Sequence, residues 1–387
     1  MAQLKILTAG ESHGKSLVGI IDGIPAGLSL IASRDIDPIL AERQKGYGRS
    51  HRQTIESDKA EITGGVRFGV TTGAPISIRI ENKDSANWSS KLSVLPTDEE
   101  IQCVVIPRPG HADLSGAIKY DHQDDIRNVF ERASARETAM RVALGAVCSK
   151  VLNDVGITSM SFVCSIGTTV AQHIRDSTAR KELVNNSNVR MPDPEATKKS
   201  NELIDTAKKN GDTLGGLVQT EFYGLPVGIG SYVQWDRKLD GQIAQAVMSI
   251  QAVKAVEFGD GKDVAFQFGS ESHDEIIIDG KTISHLTNHA GGLEGGMSNG
   301  MPIIVRASMK PISTLMRPLK SINLDNGETA DAHIERSDVC AVPSLSIIVE
   351  QVVATALLSA ILDTFGGDTI SELHERIDQR RKKSILQ

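Results

Sequence analysis

The residues best suited to chemistry are two histidines in glycine-bearing loops. His13 lies in Thr8-Ala9-Gly10-Glu11-Ser12-His13-Gly14, at the end of a short predicted strand, and His111 in Pro107-Arg108-Pro109-Gly110-His111. Glycines around an imidazole allow a ligand close to the backbone with little steric hindrance. For His13 the plainer alternative is a surface histidine in a turn. Cationic groups recur near both. Arg43, Lys45, Arg49, His51 and Arg52 fall in one ten-residue run loosened by two glycines, which suits a polyanion such as a phosphate. A solvated basic loop would have the same composition. Lys310, Ser313, Thr314 and Arg317 crowd into eight residues and point to phosphate again. Arg132, Ser134 and Arg136 read as anion ligands on a helix beside the His111 loop, or else as surface arginines paired with Glu131 and Glu137. Asp338, next to an arginine at the entrance of the last core helix, is either a charge partner of the helix N-terminus or a catalytic base. Histidine and carboxylate among many phosphate ligands imply acid–base chemistry on a phosphorylated small molecule, alone or with a phosphate-bearing cofactor.

Helices and strands must position these groups. The segment 107–147 crosses an acidic turn, Asp121 to Asp125, into a predicted helix whose stripe Val129, Ala133, Met140, Leu144, Val147 and Val151 has buried spacing. Arg136 falls on that stripe, where a guanidinium is costly without anionic partners. Residues 35–44 form an amphipathic helix. A second core helix is expected over 236–257, with Gln251 and Lys254 near its C-terminal end. Leu345 to Phe365 is apolar on nearly all sides and stopped by Gly366-Gly367, so it must be sandwiched in the centre. Asp193-Pro194 opens a charged, exposed helix to about Lys209. Short strands are expected over 4–7, 159–170, 217–223, 264–283 and 301–309, with a strand-turn-strand over 17–30 and a hairpin over 55–80. Residues 82–96 read as a polar loop. The glycine-rich run 288–300 can be neither helix nor robust strand, and suits a loop over which a flat or bulky ligand lies close to main chain.

Bulk properties exclude several classes. The chain has 387 residues, 40% hydrophobic and 24% charged, with a net charge of −7. That acidic balance argues against nucleic acid as the main partner. The four cysteines, Cys103, Cys148, Cys164 and Cys340, show no metal spacing and read as reduced core thiols of a cytoplasmic protein. No metal site is expected, nor a G-x-S-x-G, Walker-type or G-x-G-x-x-G motif. The N-terminus lacks the pattern of a signal peptide. The nearest candidate for a membrane span, 347–365, contains Glu350, Gln351 and Asp363.

Beyond this, the sequence resembles the chorismate synthase family along essentially its whole length. The matching stretches are GESHG at 10–14, RQKGYGR at 43–49, RPGHADLSGAIKY at 108–120, the R-x-S-A-R-E-T run at 132–138, GDTLGG at 211–216, SYVQWDRKLD at 231–240, GGLEGGMSNG at 291–300, MKPISTL at 309–315 and ERSD at 335–338. Their number and order make the resemblance specific. It implies an α+β fold: one domain over 1–387, a β-α-β sandwich with buried helices between antiparallel sheets, assembled as a homotetramer. It implies the 1,4-anti elimination of phosphate from 5-enolpyruvylshikimate 3-phosphate to chorismate, the last step of the shikimate pathway, with reduced FMN and no net redox change. By the same resemblance His13, His111 and Asp338 are catalytic. Arg43, Arg49, Arg108 and Arg136 bind substrate. The FMN ligands would be Arg132, Ser134, Gln251, Ala252 and Gly295, together with Lys310, Ser313, Thr314 and Arg336. Whether the chain reduces its own flavin, with NADPH as the reductant, is left open.

Overall fold

In the computed structural model, which describes residues 4–49, 57–172, 174, 176–280 and 282–383, the architecture follows from two antiparallel sheets and the helices they enclose. The first sheet orders its strands Lys5–Ala9, Ser16–Asp22, Ile76–Glu81 and Ala60–Gly64. Its inner face carries Leu17, Ile21, Ile76, Ile78 and Ile80, all essentially inaccessible, while Val18 and Ile20 alternate outward. This is the period-two burial of a half-covered sheet. The second sheet runs Val253–Phe258, Ile303–Met309, Gly216–Tyr223, Thr158–Ile166, Thr169–Val170.

Between the sheets lie Thr138–Asp154, Leu239–Met248 and Val342–Phe365. The last is the apolar helix foreseen from sequence. It starts three residues earlier, with Pro343 in its first turn, and ends at Gly366 in the left-handed region, φ 64°. By length and composition it is the one helix among the described residues apolar enough to cross a membrane, with a mean hydropathy of 2.1, yet 78% of that window is buried in the protein core. It packs against Thr138–Asp154 so closely that a Cβ on Gly145 would stand 2.5 Å from the Gln351 carbonyl oxygen. Ser149 Oγ donates to Gln351 Oε1 at 2.7 Å across the same seam. Gly145→Ala is therefore expected to destabilise the fold by about 1–3 kcal/mol through overpacking. A lowered urea midpoint would report it, and an unchanged one would mean the seam can open at no cost.

Several expectations need correction, among them the short strands over 264–283, where a 3-10 helix, Gly261–Phe266, and a helical turn, Gly269–Ser272, precede the strand Ile276–Asp279. The predicted continuous helix through Arg136 is broken. Arg127–Ala133 ends at Ser134, which takes an extended conformation with ψ 142° and caps a short 3-10 turn, Ala135–Glu137, by accepting from the Arg136 N–H. The second core helix stops at Met248, and 253–258 is a strand, because Val253 and its neighbours complete the second sheet against Ile303–Met309. Residues 24–30 make only isolated bridges, Ala26 to Thr369 and Ser29 to Val70. Within the polar loop 82–96, Lys83–Trp88 forms a 3-10 helix. Asp193 does cap Pro194–Lys209 as read. Of the cysteines, Cys148 and Cys340 are core thiols pushed up to about 12 by burial, whereas Cys103 is exposed.

Candidate active site

The break at Ser134 lies on the wall of a cavity. The extended Ser134 and the two residues after it, Ala135 and the buried Arg136, line a space of about 680 Å³. The first-sheet loop 10–14, the 43–49 segment, the 108–111 loop, the turn after Met248, residues 309–314 and 335–338, and the start of the apolar helix close around it. Ile250, Met309, Leu345 and Ile348 supply part of an apolar lining, and arginines, histidines, hydroxyls and the carboxylates of Glu131, Glu335 and Asp338 supply polar groups. A volume within the usual range for small-molecule sites, with an apolar wall and convergent polar groups, suits a ligand that is partly flat and strongly anionic.

Each charged side chain is held by a partner. Arg136 Nη1 stands 2.7 and 2.8 Å from the two Asp58 oxygens, and its Nε and Nη2 donate to Asn82 Oδ1 at 3.0 and 2.8 Å. Arg43 donates to Thr138 Oγ1 at 2.8 Å and the Ala135 carbonyl at 3.1 Å, with Asp58 at 3.8 Å. Burial pushes the Arg43 guanidinium down to about 9, against the pull of Asp58 and with Arg136 and Arg49 repelling it. It keeps its charge at neutral pH, and an incoming anion relieves the repulsion. Arg49 pairs with Asp338 at 2.8 Å, and its Nε is buried without a hydrogen-bond partner among the described residues. Arg108 grips Asp113 through Nε at 2.8 Å and reaches Thr314 Oγ1 at 3.1 Å.

The two histidines are anchored by carboxylates. His13 Nδ1 lies 2.8 Å from Glu131 Oε1, its backbone N–H donates to Oε2 at 2.8 Å, and its ring stacks on Trp88 with centroids 4.2 Å apart. His111 Nδ1 lies 2.5 Å from Asp113 Oδ1. An ionised carboxylate accepts from Nδ1–H, so Nε2 is left for a ligand in each case. Burial alone would raise the Asp113 carboxyl, but hydrogen bonds from His111 and Arg108 outweigh it and hold it well below the ordinary range. Its stabilisation is complete above the ordinary carboxylate range and is lost as pH falls through and below that range. Urea midpoints should drop on going from about pH 6 to about pH 3, and less so in Asp113→Asn; equal drops in both would remove Asp113 from the acid response.

Most of the site residues read from sequence meet in this cavity: His13, His111, Asp338, Arg43, Arg49, Arg108, Arg136, and also Ser134, Gln251, Ala252, Lys310, Ser313, Thr314 and Arg336. Lys310 Nζ donates to the Gly110 carbonyl, joining the two loops. Two do not line it. Arg132 points away, donating to the Thr8 and Gly10 carbonyls at 2.8 and 3.2 Å, because the helix ends one residue later. Gly295 sits at the turn between the two-residue strands Leu293–Glu294 and Met297–Ser298, with open space where its Cβ would be. The glycine-rich run is thus a tight hairpin rather than a cover over this cavity. Of the basic run 43–52, residues 50–52 lie outside the described residues. Sequence reading missed Asp58, Asn82, Trp88, Asp113 and the buried role of Glu131, which is 2% exposed rather than a surface partner of arginine. Asp113 had a local signal, two residues beyond His111; the others had none.

Comparison with known proteins gives the family. The family model described as chorismate synthase matches residues 4–362. The chain belongs to the chorismate synthase family. It is 50% identical over 385 residues to the chorismate synthase of Geobacillus thermodenitrificans, covering 98% of this chain and 99% of that one. Similarity to the chorismate synthase of Syntrophotalea carbinolica is 50% over 379 residues, 97% of each chain. A crystal structure of chorismate synthase superposes with a TM-score of 0.78 at 39% identity, covering 98% of this chain and 99% of that one. The reaction of the chorismate synthase family is the 1,4-anti elimination of phosphate from 5-enolpyruvylshikimate 3-phosphate to give chorismate. Such a substrate carries a phosphate and two carboxylates, and five arginines line the cavity, Arg43, Arg49, Arg108, Arg136 and Arg336.

Proposed function

We propose that this chain is a phosphate lyase that performs the family elimination in this cavity as a cytoplasmic enzyme of the shikimate pathway, with one catalytic domain over 1–387. The observation that carries the reading is the convergence of Arg43, Arg49, Arg108 and Arg136 with His13, His111 and Asp338 on one space. Breaking the C3–O bond puts negative charge on the departing phosphate, and fixed guanidinium groups stabilise that charge without reorganising. His13, its Nδ1–H on Glu131 and its face on Trp88, has an Nε2–H to donate to the leaving group when the ring is doubly protonated. Asp338, ion-paired to Arg49, is the carboxylate at the end of the path taken by the C6 proton. His111, oriented by Asp113, would in its doubly protonated form donate from Nε2 to the ring edge of a bound cofactor.

The cavity also fits reduced FMN. Its apolar lining matches a planar ring, and Gln251 Oε1 is a buried acceptor without a partner among the described residues. Ser134, Gln251, Ala252, Lys310, Ser313, Thr314 and Arg336 would hold the cofactor, with Lys310 and Thr314 on its phosphate. When bound, the reduced flavin supplies transient electron density for loss of phosphate and ends unchanged. Exposed Leu7, Val18 and Ile20 on the outer face of the first sheet, with Tyr232 and Trp235, support assembly as a homotetramer.

The test is anaerobic. Enzyme, 5-enolpyruvylshikimate 3-phosphate and chemically reduced FMN should release chorismate and phosphate in equal amounts, with the flavin still reduced at the end. Flavin binding without product would sink the reading. NADPH with oxidised FMN, in a second arm, asks whether the chain reduces its own cofactor.

A further inference from the structure

Glu137 is a buried carboxylate that the elimination does not use. It lies in the 3-10 turn made by the helix break and is 7% exposed. Thr8 Oγ1 donates to its Oε1 at 3.0 Å, Arg141 Nε stands 2.9 and 3.0 Å from its two oxygens, and Gln251 Nε2 donates to Oε2 at 3.2 Å. Arg141 also donates to Ser249 Oγ at 2.7 Å, tying the same carboxylate to the turn that carries Gln251. Burial would raise the Glu137 carboxyl, but the charge of Arg141 and hydrogen bonds from Arg141, Gln251 and Thr8 prevail and hold it low.

An ionised carboxylate only accepts hydrogen bonds. The end of the Gln251 amide that meets it must therefore be the NH2, and turning the amide over would set two oxygens against each other. This leaves Gln251 Oε1 buried, without a hydrogen-bond partner among the described residues, on a residue that lines the cavity. A buried carbonyl oxygen without a donor is unfavourable, so the site is completed by a ligand that brings an N–H or O–H to that point.

We propose that Glu137 is a positioning residue that locks the Gln251 amide with its oxygen toward the cavity, so that the site selects a ring edge bearing an imide N–H. The proposal rests on the flavin reading above, where that edge is the N3–H of the isoalloxazine. The pyrimidine edge of a flavin presents this N–H between two carbonyls. It keeps the proton in both the oxidised and the reduced forms, so the selection is independent of redox state. Only a carbonyl, not an amide NH2, can meet the N–H.

The experiment compares binding of oxidised FMN and of an FMN analogue methylated at N3, followed by flavin fluorescence, in the full chain. Wild type should prefer FMN by about tenfold. In Glu137→Gln, whose own amide can donate as well as accept, the Gln251 amide is free to turn, and the preference should shrink to within about threefold. Should that variant fail to fold, Glu137→Asp keeps the charge for Arg141 but retracts from Gln251, and is expected to lose the preference equally. Gln251→Leu should lose it with the Glu137–Arg141 pair intact. Tight FMN binding by wild type with no preference over the analogue overturns the proposal while leaving the flavin reading in place. A preference that persists in both Glu137 variants overturns the role of Glu137. Failure of either flavin to bind wild type removes the flavin reading, and the proposal with it.

Discussion

Asp58→Asn should lower kcat/KM by about two orders of magnitude, equivalent to about 2.7 kcal/mol of transition-state binding. Asp58 is 3% exposed and is the carboxylate shared by Arg136, at 2.7 Å, and Arg43, at 3.8 Å. Removing one partner of a buried ion pair leaves the other charge uncompensated, which typically costs about 3–5 kcal/mol. Here the asparagine amide would also set N–H groups against guanidinium N–H groups. The two arginines would separate, and the clamp for the departing phosphate would lose its geometry. Arg136 keeps Asn82, so the effect should be smaller than loss of Arg136 itself. Steady-state kinetics with reduced FMN, alongside a urea melt, would separate lost geometry from lost stability. A variant with unaltered kcat/KM would show that the clamp organises itself without Asp58.

His111→Ala and Asp338→Ala should each reduce kcat by about 10²–10⁴, the usual range for a positioned acid or base. FMN affinity should move by less than about tenfold. The split is expected because neither side chain provides the main area for the ring: His111 is tethered to Asp113 on the 108–113 loop, and Asp338 is ion-paired to Arg49. Asp338→Ala also frees Arg49, so Asp338→Asn is the cleaner form; it keeps the shape and removes the base. Turnover unchanged in either alanine variant would take that residue out of the proton path. Loss of FMN binding in step with turnover would make it a cofactor ligand instead.

The core helix Val342–Phe365, the cap at Asp193 and the strands Thr158–Ile166 and Gly216–Tyr223 were legible in sequence because hydrophobic period and local cap chemistry decide them. The helix break at Ser134 was not. Its residues continue the buried stripe, and the partners that Arg136 finds beyond the break, Asp58 and Asn82, are distant in sequence. The strand 253–258 was hidden for a similar reason: its pairing partner lies some fifty residues on, in Ile303–Met309.

By itself the sequence determined the set of chemical groups, the glycine-bearing loops that carry them and the motifs shared with the family, all of which are local properties of a few neighbouring residues. Tertiary structure alone decided which charge meets which. Glu131 reaches His13 across 118 positions, Asp58 reaches Arg136 across 78, and Thr314 reaches Arg108 across 206. A buried charge requires a partner, but side-chain type does not say which one. That choice is made when the two sheets close on the helices and remove water from the space between them.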